Sequence, residues 1–353
     1  MKILDRYILK NFILFLFIVL FLFIFIFLIV DISDNLSNYL QSGKSVKEII
    51  LLYLFYIPSL LTLLFPLGIL VSIFITVGIM VKNNELVAIK SAGISVYRFL
   101  IPLFLLIFFL SFLQFFLKEN IETYSTRRYR EIKESKDFEQ INREDFVFVQ
   151  DEKTVLKGEY FSVKNFSIKE PEIFKFGEKK NLEKYVKAKR GIFKNDEWIF
   201  ESCQIYDLKN NLFETFENRE MFDILNVKPN EIVFDRENVD IYKISELLKI
   251  RDSIKKSKGE VAKQETEISY RFYFIFINII IALISASFVV NAKNTGIIFG
   301  LAISVLLSFL YWGVLQGFRS AASNGGGNPF TIFLLPNFFF LFISFFLLYK
   351  SRK

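Results

Sequence analysis

The chain has 353 residues, 53% of them apolar, with a mean hydropathy of +0.38, one cysteine and no histidine. The missing histidine excludes Ser-His-Asp and Cys-His triads, HExxH zinc sites and His-held haem, and the lone Cys203 excludes an internal disulfide or a CxxC motif. So apolar a chain is an integral membrane protein, and its net charge of +7 is not a nucleic-acid footprint: from Lys118 to Arg271, 31 Lys and Arg stand against 32 Asp and Glu, so the basic excess lies beside the apolar stretches.

Six stretches without Asp, Glu, Lys or Arg are long enough to cross a bilayer core of roughly 30 Å: residues 12–30, 49–81, 99–117, 272–290, 295–318 and 330–349. The first is longer than the apolar run of a secretory signal and ends in Asp31-Ile32-Ser33-Asp34 with no small-x-small site, so it is expected to remain as an uncleaved span. Gly43-Lys44-Ser45 mimics the end of a Walker A motif, but Asn38 stands where its first Gly should be and no strand precedes it. The second stretch is too long for one straight crossing; Pro58 and Pro66, each lacking a helical donor, are expected to kink it. Pro336 should do the same to the sixth.

Between spans two and three, the sequence predicts a short helix from Glu85 to Ser91, with Leu86 and Ile89 at i,i+3 and Gly93 as its stop. One reading is a plain joint between two helices, its Lys82 and Lys90 snorkelling to the interface. The other is a coupling element, Glu85, Leu86, Ala88, Ile89, Ser91, Ala92 and Gly93, whose small residues beside an apolar pair suit another protein's groove.

The insert after span three changes character. Short apolar runs at 146–149, 160–163, 172–176 and 212–216 are separated by Gly, Asn, Asp and Lys clusters, and residues 185–193 and 198–206 flank Lys194-Asn195-Asp196-Glu197 as a hairpin. A last strand at 231–234 precedes a helix from Ile244 to about Lys256. The expected fold is an α-helical polytopic membrane protein of six transmembrane helices with an inserted extracytoplasmic β-jelly-roll-like domain. Its parts are residues 1–117 with a cytoplasmic coupling loop at 82–98, the β domain at 118–267 with its helical connector, and residues 268–353. Cys203, within a predicted strand, is expected in that domain's core.

Where span four begins, Glu267 and Arg271 form an i,i+4 pair that fits a structural anchor. Span five carries two GxxxG motifs, Gly296 to Gly300 and Gly313 to Gly317, read first as packing within the bundle and second as approach to another subunit. With the N-terminus inside, the inner flanks hold 10 Lys and Arg and the outer short loops only Lys44, Lys47 and Arg319. This bias puts both termini in the cytoplasm and the large insert outside. No ionisable residue lies within the six apolar cores, which argues against an ion-coupled carrier, and the chain carries no nucleotide motif or cofactor site of its own. Transport would therefore draw its energy from a partner.

Three spans, an outer β domain and three more spans resemble the LptF/LptG family of lipopolysaccharide export permeases. The residues carrying the resemblance are Leu4-Asp5-Arg6-Tyr7-Ile8, Phe65-Pro66-Leu67, Glu85-Leu86-Val87-Ala88 leading to Ser91-Ala92-Gly93-Ile94-Ser95, residues 195–198 before a strand Trp, and Leu335-Pro336-Asn337. The opening is closer to LptG than to LptF. Asp31 stands where some relatives have a basic residue, and a proline common early in span four is absent after Arg271. The resemblance implies a permease subunit in the bacterial inner membrane, paired with a paralogous permease around a cavity. It further implies a cytoplasmic ABC ATPase dimer that uses ATP and docks on the loop after span two, and a periplasmic β-jelly-roll bridge that receives lipopolysaccharide or a related glycolipid. Two rivals stay open: a membrane-anchored receptor or assembly scaffold, and a lipid-modifying enzyme, for which Glu119, Glu122 and Arg127 show no motif.

Overall fold

The computed structural model describes residues 3–134, 143–150, 153–162, 165–177, 181–194, 197–220, 238–256, 260–290 and 296–350, with the single positions 225, 227, 229 and 232. The chain divides into two compact units, Met1–Tyr129 with Glu265–Lys353, and Arg130–Gln264.

The first unit is helical. Helix α1 (Ile3–Gln41) is followed by α2 (Val46–Lys82), the short α3 (Glu85–Ser91), and α4 (Val96–Leu117), which passes through a π turn at Lys118–Glu122 into α5 (Thr123–Glu134). After the insert come α7 (Ala262–Val290), α8 (Ile297–Ser323) and α9 (Pro329–Lys350), with α6 (Ile244–Lys256) belonging to the second unit. Six of these helical stretches are long and apolar enough to cross a membrane, as the sequence predicts. Their centre is carried by α2 and α7, most of whose apolar windows are buried, while α1 and α8 leave most of theirs exposed to the hydrocarbon that would surround them.

The Walker-like fragment is a helix start. Gly43, at φ +78°, turns the chain after α1, and Ser45 caps α2: its hydroxyl accepts from the Glu48 N–H at 3.3 Å while Glu48 accepts from the Ser45 N–H at 2.7 Å. Inside α2, Pro66 has no N–H to offer the carbonyl of Thr62, four residues earlier. Gln114 of α4 supplies the missing donor, Nε2 to Thr62 O at 2.9 Å, and Asn278 of α7 completes it by donating Nδ2 to Gln114 Oε1 at 2.6 Å and to Ser111 Oγ at 3.1 Å. A helix defect in a membrane core is tolerated when neighbouring side chains satisfy the freed group, and this polar thread joins three spans. In α9, Asn337 beside Pro336 accepts from the Tyr311 hydroxyl of α8 at 2.7 Å and donates to Phe333 O.

The second unit holds an antiparallel sheet of β1 (Arg143–Val149), β2 (Thr154–Ser162), β3 (Ser167–Lys169), β4 (Glu172–Phe176), β5 (Leu182–Lys187), β6 (Arg190–Lys194), β7 (Glu197–Asp207) and β8 (Leu212–Glu220). The inserted β domain is thus as expected, and its registers reveal a simple plan. β3 and β4 meet β2 in one unbroken register, Ser162 opposite Ser167 and Thr154 opposite Lys175. β5 and β6 likewise form one interrupted strand against β7, Lys184 opposite Asp207 and Lys194 opposite Glu197. The described strands are therefore a meander in which each pairs with its sequence neighbours. The predicted hairpin around 194–197 is present, with the strand at 185–193 broken at Ala188-Lys189.

The breaks line up. Glu170-Pro171, Ala188-Lys189 and Ser202-Cys203 lie side by side across three strands, tied by Glu170 N–H to Lys189 O and Ala188 N–H to Pro171 O, with positive φ at Glu170 (47°) and Ser202 (52°). A crease there lets one sheet wrap its inner face around Phe148, Leu156, Phe161, Ile173, Phe200 and the buried Cys203. Gly158 belongs to that face for a steric reason: a Cβ there would sit 2.6 Å from the Phe146 ring and 2.7 Å from Ile168. Trp198 closes one end, its indole N–H donating to Val227 O at 2.7 Å. On the other face Phe174, Tyr185, Tyr206 and Phe213 are direct cross-strand neighbours, ring centroids 4.7–5.7 Å apart, the kind of pairing that pins register. Of the expected strand at 231–234 only Ile232 is among the described residues, and it is helical and buried.

Candidate functional site

At the end of the helical unit where the insert leaves and returns, three acidic and three basic side chains meet. The i,i+4 pair predicted from sequence is present, Arg271 Nε to Glu267 Oε1 at 2.8 Å, both side chains 2% exposed. It is only part of the arrangement. Arg271 Nη1 also donates to Glu119 Oε2 at 2.9 Å, and Arg319 Nη2 donates to Glu267 Oε2 at 2.6 Å. The Arg319 guanidinium lies 4.2 Å from the centre of the Tyr270 ring. Lys118 pairs with Glu122 at 3.3 Å and stands over the Phe274 ring. Buried ions are costly unless matched, and here the π turn, α7 and α8 each contribute partners, with the buried Glu122 Oε2 left without a hydrogen bond among the described residues.

The π turn explains how one short run serves two directions. Its wider winding, closed by the Thr123 hydroxyl on Lys118 O at 2.9 Å, sends Glu119 to Arg271 while Lys118 and Glu122 line a cavity. No sequence signal marks a π turn, so Glu119 and Glu122 stood out only as polar residues without a motif. Arg319, counted from sequence as a loop residue, lies on α8, one-third exposed.

The cavity, about 580 Å³, is walled by α1, α2, α7 and α8 and by the π turn that follows α4. Lys118, Glu122 and Arg319 hold one end; Leu63, Pro66, Leu67, Ile277, Phe309 and Trp312 supply an apolar wall. Ser308 Oγ also lines it, buried and with no hydrogen-bond partner among the described residues. Such an interior suits a molecule with anionic groups at one end and hydrocarbon at the other.

The predicted short helix over 85–91 is present as α3, and it corrects the roles expected of its residues. Leu86 is 4% exposed and packs into the helical unit's own core, with Ile89 half-buried against it. Leu86 is therefore not available as a docking side chain, because the i,i+3 apolar pair anchors α3 to its own bundle. Outward face Val87 (43% exposed), Ala88, Ser91, Ala92 and Gly93, the last at φ +77°; Glu85 accepts from Asn83 Nδ2 at 3.3 Å. The two GxxxG motifs also part company. Gly300 packs inside the bundle, where an added Cβ would meet the Phe74 ring at 3.4 Å, and Gly296 precedes α8 at φ +85°, whereas Gly313 and Gly317 are exposed with open space before them.

Among the described residues no group of three or more His, Cys, Asp or Glu is placed to hold a metal ion. No curated protein matches the chain. The profile of the family described as Lipopolysaccharide export system permease LptF/LptG matches residues 6–350, which take in every span and the β domain. The chain therefore belongs to the LptF/LptG family: it is a multi-pass inner-membrane permease component of a lipopolysaccharide export system.

Proposed function

We propose that this permease takes lipopolysaccharide, or a closely related glycolipid, out of the bilayer through the cavity between α1, α2, α7, α8 and the π turn. The observation that carries the reading is the cavity's polarity: Lys118 and Arg319 at one end, the spare Ser308 hydroxyl on its wall, and apolar side chains over the remainder. Phosphate groups of the lipid would pair with the two cations and its acyl chains would lie along Leu63, Leu67 and Phe309. Because Arg319 is the most exposed member of the ionic set, it can turn to a ligand while Arg271 keeps Glu267 neutralised.

In this reading the N-terminus is cytoplasmic, supported by the distribution of Lys and Arg. A paralogous permease subunit packs on the exposed α8 face around Gly313 and Gly317, a cytoplasmic ABC ATPase dimer docks on the outward side of α3, and the β domain passes lipid to a periplasmic β-jelly-roll bridge through an unpaired strand edge. Among the described strands, β1 and β8 each pair on one side only, leaving backbone groups for strand addition. The test is lipid retention. Lys118→Ala with Arg319→Ala should lower the lipopolysaccharide that stays with the purified complex about thirtyfold, the effect of two cations at roughly 1 kcal/mol each. Unchanged retention in a folded double variant would remove this cavity from the lipid's path.

A further inference from the structure

A second cavity, separate from the one above, opens between α1 and α4. Near the N-terminal end of α1 the two helices are joined, Arg98 Nη1 and Nη2 donating to the Asp5 carboxylate at 3.4 and 3.3 Å, and Ile8 and Phe12 are fully buried. Further along, a groove of about 490 Å³ separates them, lined by Ile13, Phe17 and Ile24 of α1, Phe65 of α2 and Leu110 and Leu113 of α4. The polar side chain it touches is Gln114, whose amide is already engaged by Thr62 O and Asn278 Nδ2. The lining offers hydrocarbon and nothing that would hold water.

Its dimensions select the occupant. From Ile13 to Ile24 the helix advances about 16 Å at 1.5 Å per residue, close to the depth of one leaflet of a roughly 30 Å core. A helix about 10–12 Å across would need on the order of 1,200 Å³ or more through that depth, far beyond the groove. A single acyl chain is slender enough. Charge then names the lipid. Arg6 and Lys10 precede Ile13 in steps of four and three residues, so the three share one helix face, and both cations are exposed. They stand where the headgroup of a lipid whose chain filled the groove would lie.

We infer that the groove binds an anionic phospholipid from the leaflet on the N-terminal side of α1, one acyl chain between α1 and α4 and its phosphate on Arg6 and Lys10. The basic pair supplies headgroup preference and the groove supplies residence. The lipid braces α1, whose apolar window is otherwise mostly exposed and which lends Phe27 to the larger cavity.

The experiment is native mass spectrometry of the full chain released from nanodiscs of equimolar phosphatidylglycerol and phosphatidylcholine. The native chain should retain one phosphatidylglycerol through delipidation. Arg6→Gln with Lys10→Gln should weaken that retention about thirtyfold, the effect of two interfacial cations. Leu113→Trp, which fills the groove and leaves both charges in place, should expel the lipid as well, and Lys47→Gln should leave retention unchanged. Equal retention of the two lipids, or retention unmoved by either the double variant or Leu113→Trp, overturns the inference.

Discussion

Gln114 shows how much one side chain can carry inside a membrane. It repairs the carbonyl that Pro66 leaves without a donor, and it gives Asn278 a reason to be buried between spans. Gln114→Leu removes both bonds, leaving the Thr62 carbonyl without its donor and Asn278 Nδ2 with only Ser111 Oγ to accept from it. The expected loss is about 1–3 kcal/mol, read as a lower melting temperature of the detergent-solubilised chain. In Pro66→Ala the helix can supply its own donor to Thr62, so adding Gln114→Leu to that background should cost measurably less. Equal losses in both backgrounds would mean that the proline and the glutamine are independent.

The ionic set follows the same reasoning with larger stakes. Arg271→Leu takes away the buried cation that Glu267 and Glu119 share and should cost about 3–5 kcal/mol, measured by thermal unfolding. Arg319→Leu leaves Glu267 paired with Arg271 and should cost clearly less; a larger loss for Arg319→Leu would contradict the assignment of Arg271 as the inner member. The pair Glu267 and Arg271 was legible in the sequence because i,i+4 spacing is a local rule. Glu119 and Arg319 were not, since they stand 152 and 52 residues away from their partners along the chain, and Glu119 also depends on a π turn that leaves no mark in composition.

Among elements, α3 divides its residues between two tasks. Leu86 and Ile89 hold it to the bundle, while Val87, Ala88, Ser91 and Ala92 form its exposed side, the one proposed for the ATPase. Val87→Asp or Ala88→Asp should reduce recovery of the ATPase with the chain fold intact, because a charge in an apolar contact is costly. Leu86→Asp should instead lower the chain's own melting temperature. If Val87→Asp and Ala88→Asp both leave ATPase recovery unchanged, docking lies elsewhere. Helical spacing made α3 visible in the sequence, but with four apolar residues in a row, Leu86 to Ile89, it could not say which side faced in. The β domain was legible in a similar measure: alternating apolar runs announced strands, whereas the crease through Glu170, Ala188 and Ser202 depends on long-range register that no local run encodes.

At the scale of the whole molecule, the six spans and the insert follow from hydrophobic length alone, and the location of the cavity follows from none of it. The cavity lies where α1 and α8, whose apolar windows are mostly exposed, meet α2 and α7, whose windows are mostly buried. In the proposed reading a lipid would enter from the bilayer past Trp312 and Phe309, apolar side chains on the cavity wall that are also exposed. The most direct measurement is photo-crosslinking of the complete exporter in a lipopolysaccharide-containing membrane, with a photoreactive residue at position 312 and a control at the lipid-exposed position 346. The account predicts a lipopolysaccharide adduct at 312 well above that at 346, decreasing when ATP is supplied as the lipid is driven out. Adducts that are equal at the two positions, or unaffected by ATP at 312, would contradict it.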